Sequence, residues 1–157
     1  MEGDRSSATR LTTARSATGT PHDRSGRASV KALDACYCFD LLRGDAGAAN
    51  RAREWESQQE PLTIPAPALA EFLRAGYRQG GRFLERSLTL ARRLPVLPLE
   101  EEAAEEAARL GGELDRRGLA VGNLDLLIAA VVRRNRGILV TRDRALQRIP
   151  GLHLETY

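Results

Sequence analysis

The chain has 157 residues, of which 42% are hydrophobic and 29% are charged, and its formal net charge is +3. This balance is typical of one folded domain with or without a tail, and it excludes a chain that is disordered throughout. The longest apolar run, residues 126–132, is much shorter than the roughly 18 residues of a membrane span, so we expect no membrane association.

The small numbers of cysteine and histidine residues limit the kinds of catalytic and metal sites that this chain can form. Cys36 and Cys38 are the only cysteines and are too close for a relaxed disulfide, so we expect a reducing, cytoplasmic location. His22 and His153 are the only histidines, which disfavours a zinc site and histidine-based acid–base catalysis. The other basic residues are 23 arginines and Lys31; arginine suits phosphate contacts, although a GC-rich genome is the simpler explanation. We therefore expect chemistry that depends on carboxylates.

Residues 1–28 differ from the rest of the chain in composition. They are rich in Ser, Thr, Gly, Ala and Arg, and contain almost no large apolar residue except Leu11. Such a segment does not bury enough apolar surface to fold, so we expect a disordered extension followed by one domain, residues 29–157. A basic arm that touches RNA, a passive tail and a mis-assigned translation start with Val30 as the true start are the alternatives.

From residue 29 onward, strand and helix patterns alternate. Gly44 is expected to end the first helix, Pro67 to begin the third and Asn123 to cap the last. The expected strands cover residues 30–33, 62–64, 95–97, 138–141 and 153–156. The expected helices cover residues 36–42, 48–59, 67–79, 83–93, 100–110 and 124–136. This alternation predicts an α/β fold with a mainly parallel sheet of four to five short strands and helices on both faces.

Four acidic residues are expected at one edge of that sheet. Asp34 ends the first strand, and Asp143 lies two residues beyond the fourth. Glu71 and Asp125 lie in the first turns of their helices. Functional groups of open parallel sheets gather outside the carboxyl ends of the strands, so these four side chains are expected to converge. Taken singly, each acid also has an ordinary explanation as a helix cap, a dipole partner or a turn residue.

Converging carboxylates repel one another unless a cation compensates them. Mg²⁺ prefers oxygen ligands and is usually held by one or two carboxylates and several waters. Beside a phosphodiester, such an ion activates water and stabilises the charge on the attacked phosphate. The set therefore predicts a divalent-metal site with hydrolytic chemistry.

Four motifs resemble those of PIN-domain ribonucleases, particularly VapC-type toxins of toxin–antitoxin pairs. They are L-D-A-C-Y-C-F-D-L-L-R-G-D, P-A-L-A-E-F-L, G-N-L-D-L-L-I-A-A-V-V and G-I-L-V-T-R-D-R-A-L-Q-R-I-P-G-L. Their order and spacing agree with the family over residues 30–156. The resemblance implies a PIN-like fold and a Mg²⁺- or Mn²⁺-dependent endoribonuclease. It also implies a homodimer inhibited by a small VapB-like antitoxin.

Carried over residue by residue, the resemblance assigns the metal-binding and catalytic pocket to four acids. These are Asp34, Glu71, Asp125 and Asp143. It makes Asn123 and Thr141 neighbouring polar supports. Arg43 and Arg142 are candidates for phosphate contact, or for pairing with pocket carboxylates.

The chain departs from the family after the first aspartate, where the usual threonine or serine is replaced by Ala35. This change suggests an alternative function, a catalytically weak PIN-fold module that binds RNA or a partner. The cysteines that follow, Cys36 and Cys38, are expected to be small buried hydrophobes. A phosphoacceptor domain is disfavoured, because the only lysine, Lys31, lies inside the first strand.

Overall fold

The computed structural model describes residues 29–157; the predicted disordered extension, residues 1–28, lies outside the described residues. The described part contains one five-stranded sheet in which every neighbouring pair is parallel. Its strands are β1 (Lys31–Leu33), β2 (Leu62–Pro65), β3 (Val96–Leu97), β4 (Ile138–Val140) and β5 (His153–Glu155). Their order is β3-β2-β1-β4-β5, so β1 is central.

Six helices and a short 3₁₀ turn connect the strands. The helices are α1 (Ala35–Arg43), α2 (Ala46–Gln58), α3 (Ala66–Gln79), α4 (Gly81–Ala91), α5 (Glu101–Arg116) and α6 (Asn123–Arg134), and the 3₁₀ turn is Arg144–Arg148. The chain crosses the sheet in one direction from β1 to β3 and then returns to β4 and β5. Right-handed crossovers therefore place helices on both faces, and the predicted α/β fold class is confirmed.

The register of the central strands places the ends of β1 and β4 side by side. Leu33 is paired with Val140, and the backbone N–H of Asp34 donates to the Val140 carbonyl at 3.1 Å. Asp34 and Thr141, each the next residue along its own strand, are consequently neighbours although 107 positions separate them.

Helix α6 forms the centre of the core. Its residues 128–132 are completely buried, and five consecutive buried positions cover every side of a helix. Because α6 leads directly into β4, it runs against the strand direction and begins at the carboxyl edge of the sheet. This arrangement brings Asp125, in its first turn, to that edge.

The predicted N-cap of α6 was wrong. Gly122 occupies the cap position in extended conformation, and Asn123 is already the first helical residue. A Cβ atom at Gly122 would lie 3.2 Å from Asp125 Oδ2, so the Asp125 carboxylate folds back over the start of the helix. An acid in the first turn is also favoured by the partial positive charge of the helix start.

Helices α3 and α4 form a tight antiparallel pair. Gly80 and Gly81 turn the chain with φ angles of +67° and +53°, values that glycine adopts without steric cost. The helices approach closely at Gly76, where an added Cβ would lie 3.2 Å from the Ser87 side chain. Within residues 29–157, none of the helices combines the length and the apolar character that crossing a bilayer requires.

Candidate active site

Asp34 is held in one orientation by three donors. It caps α1, and its Oδ1 accepts a hydrogen bond from the backbone N–H of Ala35 at 2.7 Å. Its Oδ2 accepts from the Thr141 hydroxyl at 2.7 Å and from the Cys36 thiol at 3.1 Å. Only 6% of Asp34 is exposed, so this carboxylate presents a single, ordered face to the site.

Thr141 connects Asp34 to Asp143. The same buried hydroxyl that donates to Asp34 accepts a hydrogen bond from the backbone N–H of Asp143 at 3.0 Å. The Asp143 carboxylate caps the following 3₁₀ turn by accepting from the N–H of Ala145 at 2.8 Å. One threonine thus fixes both the side chain of the first acid and the backbone of the last.

Glu71 and Asp125 approach the same edge from α3 and α6. Loss of solvent raises the pKa of Glu71, and the charges of Asp34, Asp125 and Asp143 raise it further, while Arg74 lowers it. Burial likewise raises the pKa of Asp125, with additional contributions from Asp143 and Asp34. Since these effects require proximity, the four carboxylates share one electrostatic environment.

This donor set fits a hard divalent cation. All four acids offer oxygen, and a cation among them would offset the neighbouring negative charges that add to the effect of burial on the pKa values of Glu71 and Asp125. No three Asp, Glu, Cys or His side chains of residues 29–157 are gathered closely enough to hold an ion by themselves. Mg²⁺ commonly takes one or two carboxylates and several waters, so a looser group of acids also suits it.

A cleft of about 320 Å³ opens beside Glu71, and we call it the Glu71 cleft. Arg74 and Arg78 of α3 line it together with Phe39 of α1 and Leu124 of α6. The cleft combines an apolar floor with two guanidinium groups next to one of the four acids. It is an open groove at the sheet edge, large enough for a nucleotide-sized group.

A second polar network lies beside Asp34 and includes Asp40. Arg142 contacts both Asp40 oxygens, with Nη2 at 3.0 Å from Oδ1 and Nη1 at 2.9 Å from Oδ2. The Tyr157 hydroxyl donates to Asp40 Oδ2 at 2.7 Å, and its oxygen lies 3.8 Å from the Cys36 sulfur. Burial and the hydrogen bond to Asp40 raise the pKa of Tyr157, so the phenol stays protonated and remains a donor.

The sequence model of the PIN domain family matches residues 31–152, which include all four acids. The chain belongs to the PIN domain family. No curated protein matched the sequence.

Solved structures share the PIN fold of this chain. A chain of VapBC2 from Rickettsia felis, bound to a DNA fragment from its promoter, aligns with a TM-score of 0.70 and 23% identity, covering 82% of this chain and 98% of that one. DNA-bound VapBC from Salmonella typhimurium aligns with a TM-score of 0.68 and 25% identity over the same shares. VapBC-1 from nontypeable Haemophilus influenzae aligns with a TM-score of 0.65 and 23% identity, covering 81% of this chain and 97% of that one.

The remaining predicted residues of this PIN domain fall into different positions. Thr141 lies against Asp34 as described, whereas Asn123 is exposed and lines a separate cleft between α5 and α6. Arg142 is paired with Asp40, which is not one of the four pocket acids, so its contact with phosphate or with a pocket carboxylate stays a prediction. Arg43 lies over the Phe39 ring, 5.7 Å from its centroid, and its contact with phosphate stays a prediction.

The prediction that both cysteines are small buried hydrophobes holds for one of them. Cys38 is fully buried, as expected of a small hydrophobe, but Cys36 is partly exposed. Burial and the neighbouring Asp34 raise the pKa of the Cys36 thiol, so it stays protonated and donates to the carboxylate. Sequence reasoning missed this role, and its one signal was the position of Cys36 two residues after Asp34.

Proposed function

We propose that this chain is a metal-dependent endoribonuclease that acts as the toxin of a VapC-type toxin–antitoxin pair. One observation carries the proposal: Asp34, Glu71, Asp125 and Asp143 come from four separate parts of a chain of the PIN domain family and lie close enough that the charges of neighbouring acids help to raise the pKa values of Glu71 and Asp125. We assign them as the Mg²⁺ or Mn²⁺ ligands.

In this proposal the chain's own residues divide the work. Thr141 orients Asp34 and the Asp143 backbone before any ligand arrives. Glu71 from α3 and Asp125 from α6 complete the negative pocket. A bound cation would activate the attacking water and stabilise charge on the scissile phosphate. The repulsion among the four acids in the free protein favours the cation's entry.

The partners are proposed from the neighbouring structures. Several structures with this fold are toxin–antitoxin complexes, among them a complex from Klebsiella pneumoniae with a TM-score of 0.63 and 19% identity. We propose RNA as the substrate, a VapB-like antitoxin as the inhibitor and a homodimer as the assembly. Co-expression with the product of a short neighbouring reading frame should yield a stable complex that no longer cleaves RNA.

The decisive experiment measures RNA cleavage by the purified chain in Mg²⁺, in Mn²⁺ and in EDTA. Cleavage is expected with either metal and not in EDTA. Asp34→Asn should lower the rate at least about 100-fold, because changes even to residues behind metal ligands cost 10–100-fold. Asp115→Asn, at an exposed acid on α5, is the matched control and should cleave normally. A wild-type protein that cleaves no RNA and behaves like Asp34→Asn would contradict the proposal.

The alternative is a catalytically weak PIN domain that binds RNA or a partner. Both Asp34 oxygens already accept hydrogen bonds from the protein, and Ala35 supplies no hydroxyl. A binding module should hold RNA equally well in EDTA and in Mg²⁺ without turnover. Parallel binding and cleavage assays therefore separate the two functions.

A further inference from the structure

Two clefts lie where α1 meets the α3–α4 pair. The Glu71 cleft contains Phe39, and a second cleft of about 250 Å³, the Leu42 cleft, lies between Leu42 and α4. Phe39 and Leu42 are three residues apart on α1 and therefore share one face. The Phe39 ring also packs on Phe72 of α3 and Phe83 of α4, with centroid distances of 5.3 and 6.5 Å. Both clefts therefore border the same face of α1.

Arginines line both clefts. Arg74 and Arg78 line the Glu71 cleft, while Arg86 and Arg93 line the Leu42 cleft. All four side chains are exposed. None of them forms an ion pair with another described residue, so their guanidinium groups are available to a ligand. We call these four residues the arginine track.

Charge is distributed unevenly over the molecule. Residues 66–93 contain six arginines and two acidic residues, whereas α5 contains six acidic residues and two arginines. The small net charge of the whole chain conceals this separation. A polyanion that reaches the four carboxylates is thus attracted along α3 and α4 and repelled by α5.

We propose that the arginine track is the path of the single-stranded RNA substrate as it leaves the carboxylate site. Arg74 and Arg78 contact the phosphates nearest Glu71, and Arg86 and Arg93 contact the next ones along the strand. The apolar floor of Phe39 and Leu124 offers an unpaired base a surface to pack on. This inference rests on the proposed function and assigns its substrate-binding surface to named residues.

The test measures binding of a fluorescein-labelled single-stranded RNA oligonucleotide of mixed sequence by anisotropy, in EDTA, over a range of KCl concentrations. The two variants are Arg74→Gln with Arg78→Gln, and Arg86→Gln with Arg93→Gln. Arg109→Gln with Arg116→Gln is the control, because it removes the same charge from exposed positions on α5. All of these side chains are exposed, and circular dichroism verifies that each variant is folded.

Each track variant should reduce the slope of log K against log salt by about 1.4, since one single-strand phosphate contact contributes roughly 0.7. The control should keep the wild-type slope. In cleavage assays, the variant at Arg86 and Arg93, which line the cleft that does not contain Glu71, should raise KM while kcat stays unchanged, because the contacts hold ground and transition states alike. Slopes of both track variants equal to the control would overturn the inference, and a protein partner with an acidic segment would then fit this surface better.

The result also separates this inference from the nuclease proposal. If the wild-type protein cleaves no RNA, while the track variants bind RNA with a smaller salt dependence than the wild type, the track is supported and the nuclease proposal is rejected. If the wild-type protein cleaves RNA, while the track variants keep its KM and its slope of log K against log salt, the nuclease proposal is supported and the track is rejected.

Discussion

The Thr141 hydroxyl donates to the Asp34 carboxylate at 2.7 Å and accepts from the backbone N–H of Asp143 at 3.0 Å. A single buried side chain therefore sets the relation between the first and the last acid of the site. Thr141 directly follows β4, the strand beside β1, so this relation forms only when β1 and β4 are paired.

Thr141→Val removes both hydrogen bonds and keeps the shape of the side chain. It leaves the Asp143 N–H without its partner and should lower the free energy of unfolding by about 1–3 kcal/mol, measured by urea denaturation. The same change should weaken Mn²⁺ binding about 10- to 100-fold, as loss of residues that orient metal ligands usually does. Thr141→Ser retains the hydroxyl and should keep most of the affinity; equal loss in Ser and Val would show that the hydroxyl is not responsible.

In the Arg142–Asp40 ion pair, Asp40 is buried and Arg142 is exposed, so substitutions of the two residues should lower stability by different amounts. The Arg142 side chain is 58% exposed and that of Asp40 is 6% exposed. Arg142→Gln leaves the buried Asp40 carboxylate with Tyr157 as its one remaining side-chain partner and should lower the free energy of unfolding by about 2 kcal/mol. Asp40→Asn leaves an exposed guanidinium without its partner and should lower the free energy of unfolding by roughly half of that. Thermal and urea unfolding of both single variants and the double variant measures this; equal costs would contradict the structure.

Ala35→Ser tests whether the missing family hydroxyl limits activity. The three donors already on Asp34 are the Ala35 backbone, Thr141 and Cys36. They leave little for a further hydroxyl to add, so the cleavage rate should change by less than about fivefold, the equivalent of one neutral hydrogen bond. A rise of two orders of magnitude would instead show that the natural chain is a weakened nuclease.

The raised pKa values of Glu71 and Asp125 predict how stability depends on pH. A folded-state pKa above the unfolded value means that the folded protein binds protons more readily. Stability should therefore fall as pH rises from the ordinary carboxyl pKa of about 4 through the raised values. Glu71→Gln and Asp125→Asn remove this loss and should raise Tm in EDTA at neutral pH. The gain should be below about 1 kcal/mol, because solvent screens both groups.

Mg²⁺ should make the wild type more stable than Glu71→Gln and Asp125→Asn, the reverse of the order expected in EDTA. Mg²⁺ stabilises the state that binds it, so the wild-type Tm should increase with Mg²⁺ concentration, whereas Glu71→Gln and Asp125→Asn should respond weakly. Scanning calorimetry at pH 7 and at acidic pH, with and without Mg²⁺, checks both effects. A variant at Glu101, an exposed acid of α5, serves as the control and should follow the wild type.

Local patterns were sufficient to predict the elements of the fold. Apolar runs such as residues 62–64 and 138–141 identified strands within a residue or two of β2 and β4. The position of Asp34 after a strand and of Asp125 at a helix start predicted their common edge, because parallel strands end on the same side. Asn123 was misplaced because a neighbouring glycine adopts the extended cap conformation equally well.

Contacts between distant residues were beyond sequence reasoning. The bond between Tyr157 and Asp40 joins residues 117 positions apart, and the bond between Arg142 and Asp40 joins residues 102 apart. Each depends on the order of strands in the sheet, which alternation alone does not determine. The contact between the Cys36 thiol and the Thr141 hydroxyl joins residues 105 positions apart and was missed for the same reason, since it follows from the β1–β4 register.

The central position of β1 has a consequence for the synthesis of this protein. The strand is one of the earliest parts of the described chain to be made, but one of its two neighbours, β4, follows more than a hundred residues later. Until β4 is made, β1 keeps an open edge and Asp34 lacks the hydroxyl that orients it. Under the proposed function, a chain that is still being synthesised would therefore lack an assembled carboxylate site until β4 has been made.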